Sequence, residues 1–133
     1  MKNKECISIK KMIEYIDKAL RYTKECSFNT FCNNEEKVDA TVFSISQIGE
    51  LIKNISSETM LKYPNIDWII IKNLRNKIVH DYDGIKLNFI WDIISEDLPA
   101  LKIKLQEILN KERILVNIIT PKNVDKNIFR CIF

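Results

Sequence analysis

The chain has 133 residues, 46% of them apolar and 29% charged, with 21 basic against 18 acidic side chains for a formal charge of +3. This is one domain's worth of chain, able to bury roughly two thirds of its unfolded surface without disulfides or metals, and its composition excludes the disordered class. The small positive charge permits contact with nucleic acid but excludes tight binding by charge alone.

Two glycines and three prolines leave few turns, so long helices are expected. From Ile7 to about Cys26, Ile9, Met12, Ile13, Ile16, Leu20 and Thr23 follow the i, i+3, i+4, i+7 stripe of an amphipathic helix. Ser27 is a good N-cap for a short helical stretch through Phe28 and Phe31, and the polar "NNEE" prepares the next start. A third helix is predicted over Glu35 to Ile55, with Val38, Val42, Ile45, Ile48, Gly49 and Ile52 on one side. Gly49 costs about 1 kcal/mol against alanine inside a helix, so close packing or a close partner should compensate.

The stretch "SSETMLKYPNID" reads as the break after that helix, because Pro64 pushes Tyr63 out of helical geometry and Asn65 or Asp67 can cap a fresh helix start. The next helix begins near Ile66. With Trp68, Ile69, Ile70, Leu74 and Ile78 it is apolar nearly all round in its first half, and is predicted to be the central, most buried helix. Asp83-Gly84 is a turn signal that stops it. A last strong helix is predicted from about Asn88 to Lys111, with Pro99 kinking it or restarting it behind Asp97 as cap. After Arg113, "ILVNIITPKNVDKNIFRCIF" shows no helical period, which divides the chain into a helical domain over 1–112 and an extension of unassigned structure over 113–133.

Cys6, Cys26, Cys32 and Cys131 form no C-x-x-C pair, and one histidine cannot complete a common zinc set, so no metal and no cofactor is expected and the thiols read as reduced. No apolar run reaches the length of a signal peptide core or a membrane span, which makes a cytoplasmic protein without membrane contact the expectation.

The one histidine stands in "LRNKIVHDYDGI", residues 74–85, at the polar end of the otherwise apolar fifth segment. On a helix Asn76 and His80, four apart, share a face, while Arg75 lies about 140° from His80. Two copies of this helix end meeting across a two-fold axis would bring both groups into one cleft. The chemistry suits cleavage of RNA: histidine titrates near neutrality and can move the 2'-hydroxyl proton, and arginine offers a permanent planar cation to the phosphoryl charge. Asn76 can orient phosphate or His80, Tyr82 can position substrate, and Asp81 can raise the histidine pKa or repel phosphate. The plain alternative is that His80 serves the last carbonyls and dipole of its helix while Arg75 pairs with an acidic neighbour. Glu50, beside Gly49, reads either as a surface carboxylate or as one facing a crowded neighbouring helix.

"RNKIVHDY" fits R-N-x-x-x-H-x-Y, and with "VDATVFSISQIGELIK", "YPNIDWIIIKNLRNKIVHDY" and "WDIISEDLPALKIKLQEIL" in that order the chain resembles HepT-like toxins of the HEPN ribonuclease superfamily up to about Asn110. The resemblance implies an all-α up-and-down bundle of four main helices and a short one, forming a homodimer with the motifs of both chains lining a cleft. It implies a metal-independent endoribonuclease with Arg75 and His80 catalytic and Asn76 and Tyr82 assisting, Glu50 being added from its place beside Gly49. It further implies a toxin paired with an MNT-type nucleotidyltransferase antitoxin, which can transfer AMP to Tyr82. The competing expectation is a non-catalytic subunit of a nucleotidyltransferase that holds nucleotide or RNA in the same cleft.

Overall fold

The computed structural model describes residues 1–80 and 86–119, with side chains described over 1–78 and 86–115. Among these residues the chain is helical without strands: α1 (Asn3–Thr23), α2 (Phe28–Cys32), α3 (Glu35–Leu51), α4 (Ser57–Lys62), α5 (Trp68–His80), α6 (Leu87–Asp92) and α7 (Leu98–Ile119). The expected all-α bundle is what forms, with four long helices and three short ones, two more short helices than the sequence pattern predicted. No helix among the described residues is long and apolar enough to cross a membrane.

Local chemistry sets most boundaries. The side chains of Ser27, Asn34 and Ser56 accept hydrogen bonds from the backbone N–H of Thr30, Lys37 and Thr59, the N-cap arrangement that satisfies an otherwise orphaned donor. Ser56 thereby starts α4 inside the stretch read as a plain break. Tyr63, before Pro64, does leave helical geometry, at φ −122° and ψ 66°. α3 ends at Leu51 and tightens into a 3-10 turn over Ile52–Asn54, short of the predicted Ile55.

The predicted single helix over Asn88–Lys111 is built in two parts, α6 and α7, joined by a π-helical turn over Ile93–Asp97. Pro99 has no N–H for the carbonyl four residues back, and the wider turn just before it accommodates that loss. Asp97 lies within this turn. α7 then continues to Ile119, so residues 114–119 are helical although their β-branched run shows no helical period. Of the extension, residues 120–133 lie outside the described residues.

The core gathers Ile9, Met12 and Ile16 of α1, Ile45 and Ile48 of α3, Ile71 and Ile78 of α5, Ile90 of α6 and Leu105 and Ile108 of α7. α1 packs on both α3 and α7, and α3 packs on α5. Phe31 is buried against Trp91, their ring centroids 5.2 Å apart, which docks α2 on α6. The prediction that α5 is the central, most buried helix is corrected: Ile69 and Ile70 remain 74% and 60% exposed, and among its described side chains Trp68, Ile71 and Ile78 are buried. α5 packs on α3, and among the described residues the side carrying Ile69 and Ile70 is left open, so its apolar first half is part core and part exposed surface.

Two buried carboxylates tie the bundle together at long range. Glu5 of α1 accepts from Ser56 N and Thr59 Oγ1 at 2.8 Å through Oε1, and from Lys2 N at 2.8 Å through Oε2. Burial alone would raise its pKa, yet the hydrogen bonds from Ser56, Lys2 and Thr59 hold it down at about 2. Glu112 of α7 accepts from the Tyr63 hydroxyl and from Lys62 Nζ at 2.9 Å, which keeps it below the usual carboxylate range against its own burial. Burial, with Glu112 as partner, pushes the Tyr63 phenol up.

Candidate active site

The crossing of α3 and α5 positions the candidate groups. A Cβ added to Gly49 would sit 2.6 Å from Arg75 Cβ, 2.9 Å from the Ile71 carbonyl oxygen and 3.0 Å from Arg75 N. Only a residue without a side chain lets the two backbones approach this closely, which accounts for a glycine inside a helix. The consequence falls on the neighbour, Glu50, which is carried to the side of Arg75.

There Arg75 Nε lies 3.0 Å from Glu50 Oε2, and Lys53 Nζ lies 2.8 Å from Glu50 Oε1. One carboxylate is therefore shared by two cations. The Lys53 hydrogen bond and charge, followed by Arg75, hold the Glu50 carboxyl below its ordinary range. Arg75 Nη1 also donates to Asn76 Oδ1 at 3.3 Å. The Arg75 and Glu50 side chains are a little over one third exposed, so the cluster lies at the surface and is open to a charged ligand.

The structure thus brings Arg75, Asn76 and Glu50 together. His80 is the last residue of α5, one helix with Arg75, and its side chain lies outside the described residues, as do Asp81, Tyr82 and the Asp83-Gly84 turn signal. Lys77 Nζ stands 4.0 Å from the Phe89 ring centroid and ties the C-terminal part of α5 to α6. Asn73 and Asn76 are both exposed and, with Ile69 and His80, fall at i, i+4, i+7 and i+11, a single stripe along α5. Arg75 lies off that stripe, toward α3.

Lys53 is the member of the cluster that the sequence reading missed. Its signal was present as the E-x-x-K spacing of "GELIK", which places a lysine one turn beyond Glu50. No group of three or more His, Cys, Asp or Glu side chains among the described residues is placed to hold a metal ion. What the cluster supplies is a fixed guanidinium with a neighbouring ammonium, suited to holding a phosphodiester.

Comparison with known proteins points the same way. A family model described as "Ribonuclease HepT-like" matches residues 12–108. A "Putative RNase" of Caldanaerobacter subterraneus subsp. tengcongensis is 34% identical over 90 residues, 68% of this chain and 80% of that protein. A "Probable ribonuclease HepT" of Thermococcus cleftensis is 30% identical over 95 residues, 71% and 86% of the two chains, and a "Putative RNase" of Methanocaldococcus jannaschii is 30% identical over 98 residues, 74% and 81%. No solved structure matches.

Proposed function

Since this chain belongs to the ribonuclease HepT-like family, within the HEPN endoribonucleases, we propose that it cuts RNA without a metal ion, at a site shared by two copies of the chain, as the toxin of a toxin–antitoxin pair. The observation that carries this reading is the anchoring of Arg75, whose guanidinium is held by Glu50 at 3.0 Å on the helix that ends at His80.

In the proposed reaction His80 removes the proton of a 2'-hydroxyl, and that oxygen attacks the adjacent phosphorus. The bond from phosphorus to the 5'-oxygen breaks, the leaving oxygen takes a proton from histidine, and the products carry a 2',3'-cyclic phosphate and a 5'-hydroxyl. Arg75 offsets the charge that accumulates on the non-bridging oxygens, which a permanent cation in a fixed place does without reorganisation. Asn76 steadies the Arg75 fork, Glu50 anchors it, and Tyr82 positions the substrate. Because Arg75 and His80 lie about 140° apart on α5, each copy contributes its groups to a common cleft.

The antitoxin in this reading is an MNT-type nucleotidyltransferase. The Tyr82 oxygen attacks the α-phosphorus of ATP, pyrophosphate leaves, and the anionic AMP left in the cleft repels RNA phosphates.

The test is cleavage of RNA in EDTA by unmodified protein beside His80→Ala, scoring cyclic phosphate ends. The wild type is expected to cut, and loss of an acid–base group lowers the rate about 10²- to 10⁴-fold. If both proteins bind RNA and neither cuts, the chain is a nucleotide- or RNA-holding subunit instead.

A further inference from the structure

The ammonium of Lys53 is tied to the same carboxylate as Arg75, yet its side chain is 64% exposed. An isolated surface pair of this kind stabilises a fold very little. Here the pair is part of a three-residue cluster in which one negative charge faces two positive ones, leaving a local surplus of one positive charge. Glu50 spaces the cations by the width of one carboxylate, with Lys53 on Oε1 and Arg75 on Oε2. Both lie on one side of the α3–α5 crossing, whose separation is set by Gly49.

The Lys53 ammonium has three donor hydrogens, and the contact with Oε1 takes one of them. Lysine binds phosphate as a point charge where arginine binds it as a fork, and the two side by side suit a phosphodiester chain rather than a single isolated phosphate.

We propose that Lys53 is a substrate-positioning residue: with Arg75 it forms a phosphate clamp on RNA, spaced by their shared Glu50. This rests on the ribonuclease reading above and adds to it a second contact, which directs the bound strand from the end of α5 along the 3-10 turn that succeeds α3. Lys53 takes no part in proton transfer. Its contribution is to hold the strand, so it acts on affinity and on the dependence of affinity on salt.

The experiment measures binding of a mixed-sequence 2'-O-methyl oligoribonucleotide, which has no 2'-hydroxyl to attack, at several salt concentrations. Wild type is compared with Lys53→Met, Lys53→Arg and Lys24→Met, the last removing an exposed charge just beyond the end of α1. Each phosphate contact to a single strand contributes about 0.7 to the slope of log affinity against log salt. Lys53→Met is expected to lower the slope by about that amount and weaken binding several-fold. Lys53→Arg restores both, and Lys24→Met leaves the slope as in wild type.

A structural role for Lys53 would lower the melting temperature and leave the slope unchanged, and that result overturns the proposal. An unchanged slope in Lys53→Met alongside wild-type binding and cleavage refutes the clamp alone. Failure of wild-type protein to bind RNA at all refutes both the clamp and the ribonuclease reading.

Discussion

Gly49→Ala is the substitution that separates local preference from the geometry of the site. In an isolated helix alanine is better than glycine by about 1 kcal/mol, so on local grounds the change stabilises α3. In the folded chain the new Cβ would meet Arg75 Cβ at 2.6 Å and the Ile71 carbonyl oxygen at 2.9 Å, where ordinary contact begins near 3.4 Å. Both neighbours belong to the backbone or its first side-chain atom, so no rotamer change relieves the clash. α3 and α5 must separate by about 1 Å, and overpacking of this kind costs about 1–3 kcal/mol. Set against the helix preference, the net loss is about 1 kcal/mol, or about 4 °C in melting temperature for a domain of this size. The larger effect is on the site, because the displaced atom is Arg75 Cβ itself and a shift of about 1 Å in a positioned catalytic group can cost on the order of 10²-fold in rate. Urea denaturation and cleavage of a defined RNA, measured on the same preparations, check both. A Gly49→Ala protein more stable than wild type and equally active would refute the tight α3–α5 crossing and its role in placing Arg75.

The acid stability of the chain is expected to depend on Glu5. Its pKa falls from the ordinary 4.5 to about 2 in the folded state, so its contribution is fully present above 4.5 and is lost as pH drops from there toward 2. A shift of this size corresponds to about 3 kcal/mol. Urea melts at pH 6 and pH 3 should show much of that loss in wild type and a flatter dependence in Glu5→Gln; equal pH dependence in the two would remove Glu5 as the cause. The double variant Ile69→Ser, Ile70→Ser changes two side chains that are more than half exposed in the single chain, and should leave its helix content unchanged. If the open side of α5 is where two copies meet, sedimentation will show wild-type dimer and variant monomer, with cleavage lost; a variant that stays dimeric moves the interface elsewhere.

Arg75 and Asn76 of the described cluster were readable from "LRNKIVHDY", because residue types and their spacing along one helix are properties of the chain itself. The pairing of Arg75 with Glu50 was not. Glu50 lies 25 positions earlier and meets Arg75 only because Gly49 lets α3 and α5 touch. Lys53 had a visible E-x-x-K spacing, but nothing local says that its carboxylate is shared with an arginine from another helix.

The same division runs through the fold. The positions of α1, α2 and α3 come from the apolar period and from Ser27 and Asn34, since helix periods and N-caps are decided within three or four residues of chain. Composition and pattern also determined that the bundle formed by the described residues would be built of helices. Tertiary structure alone decided which side of α5 is covered: Ile69 and Ile71 look equally apolar in sequence, and packing against α3 buries one and leaves the other 74% exposed. It decided as well that Glu5 would accept from the start of α4 across 51 positions. The physical reason is one of range. Propensity and capping act between near neighbours, whereas burial and charge pairing depend on which helices the completed bundle brings into contact.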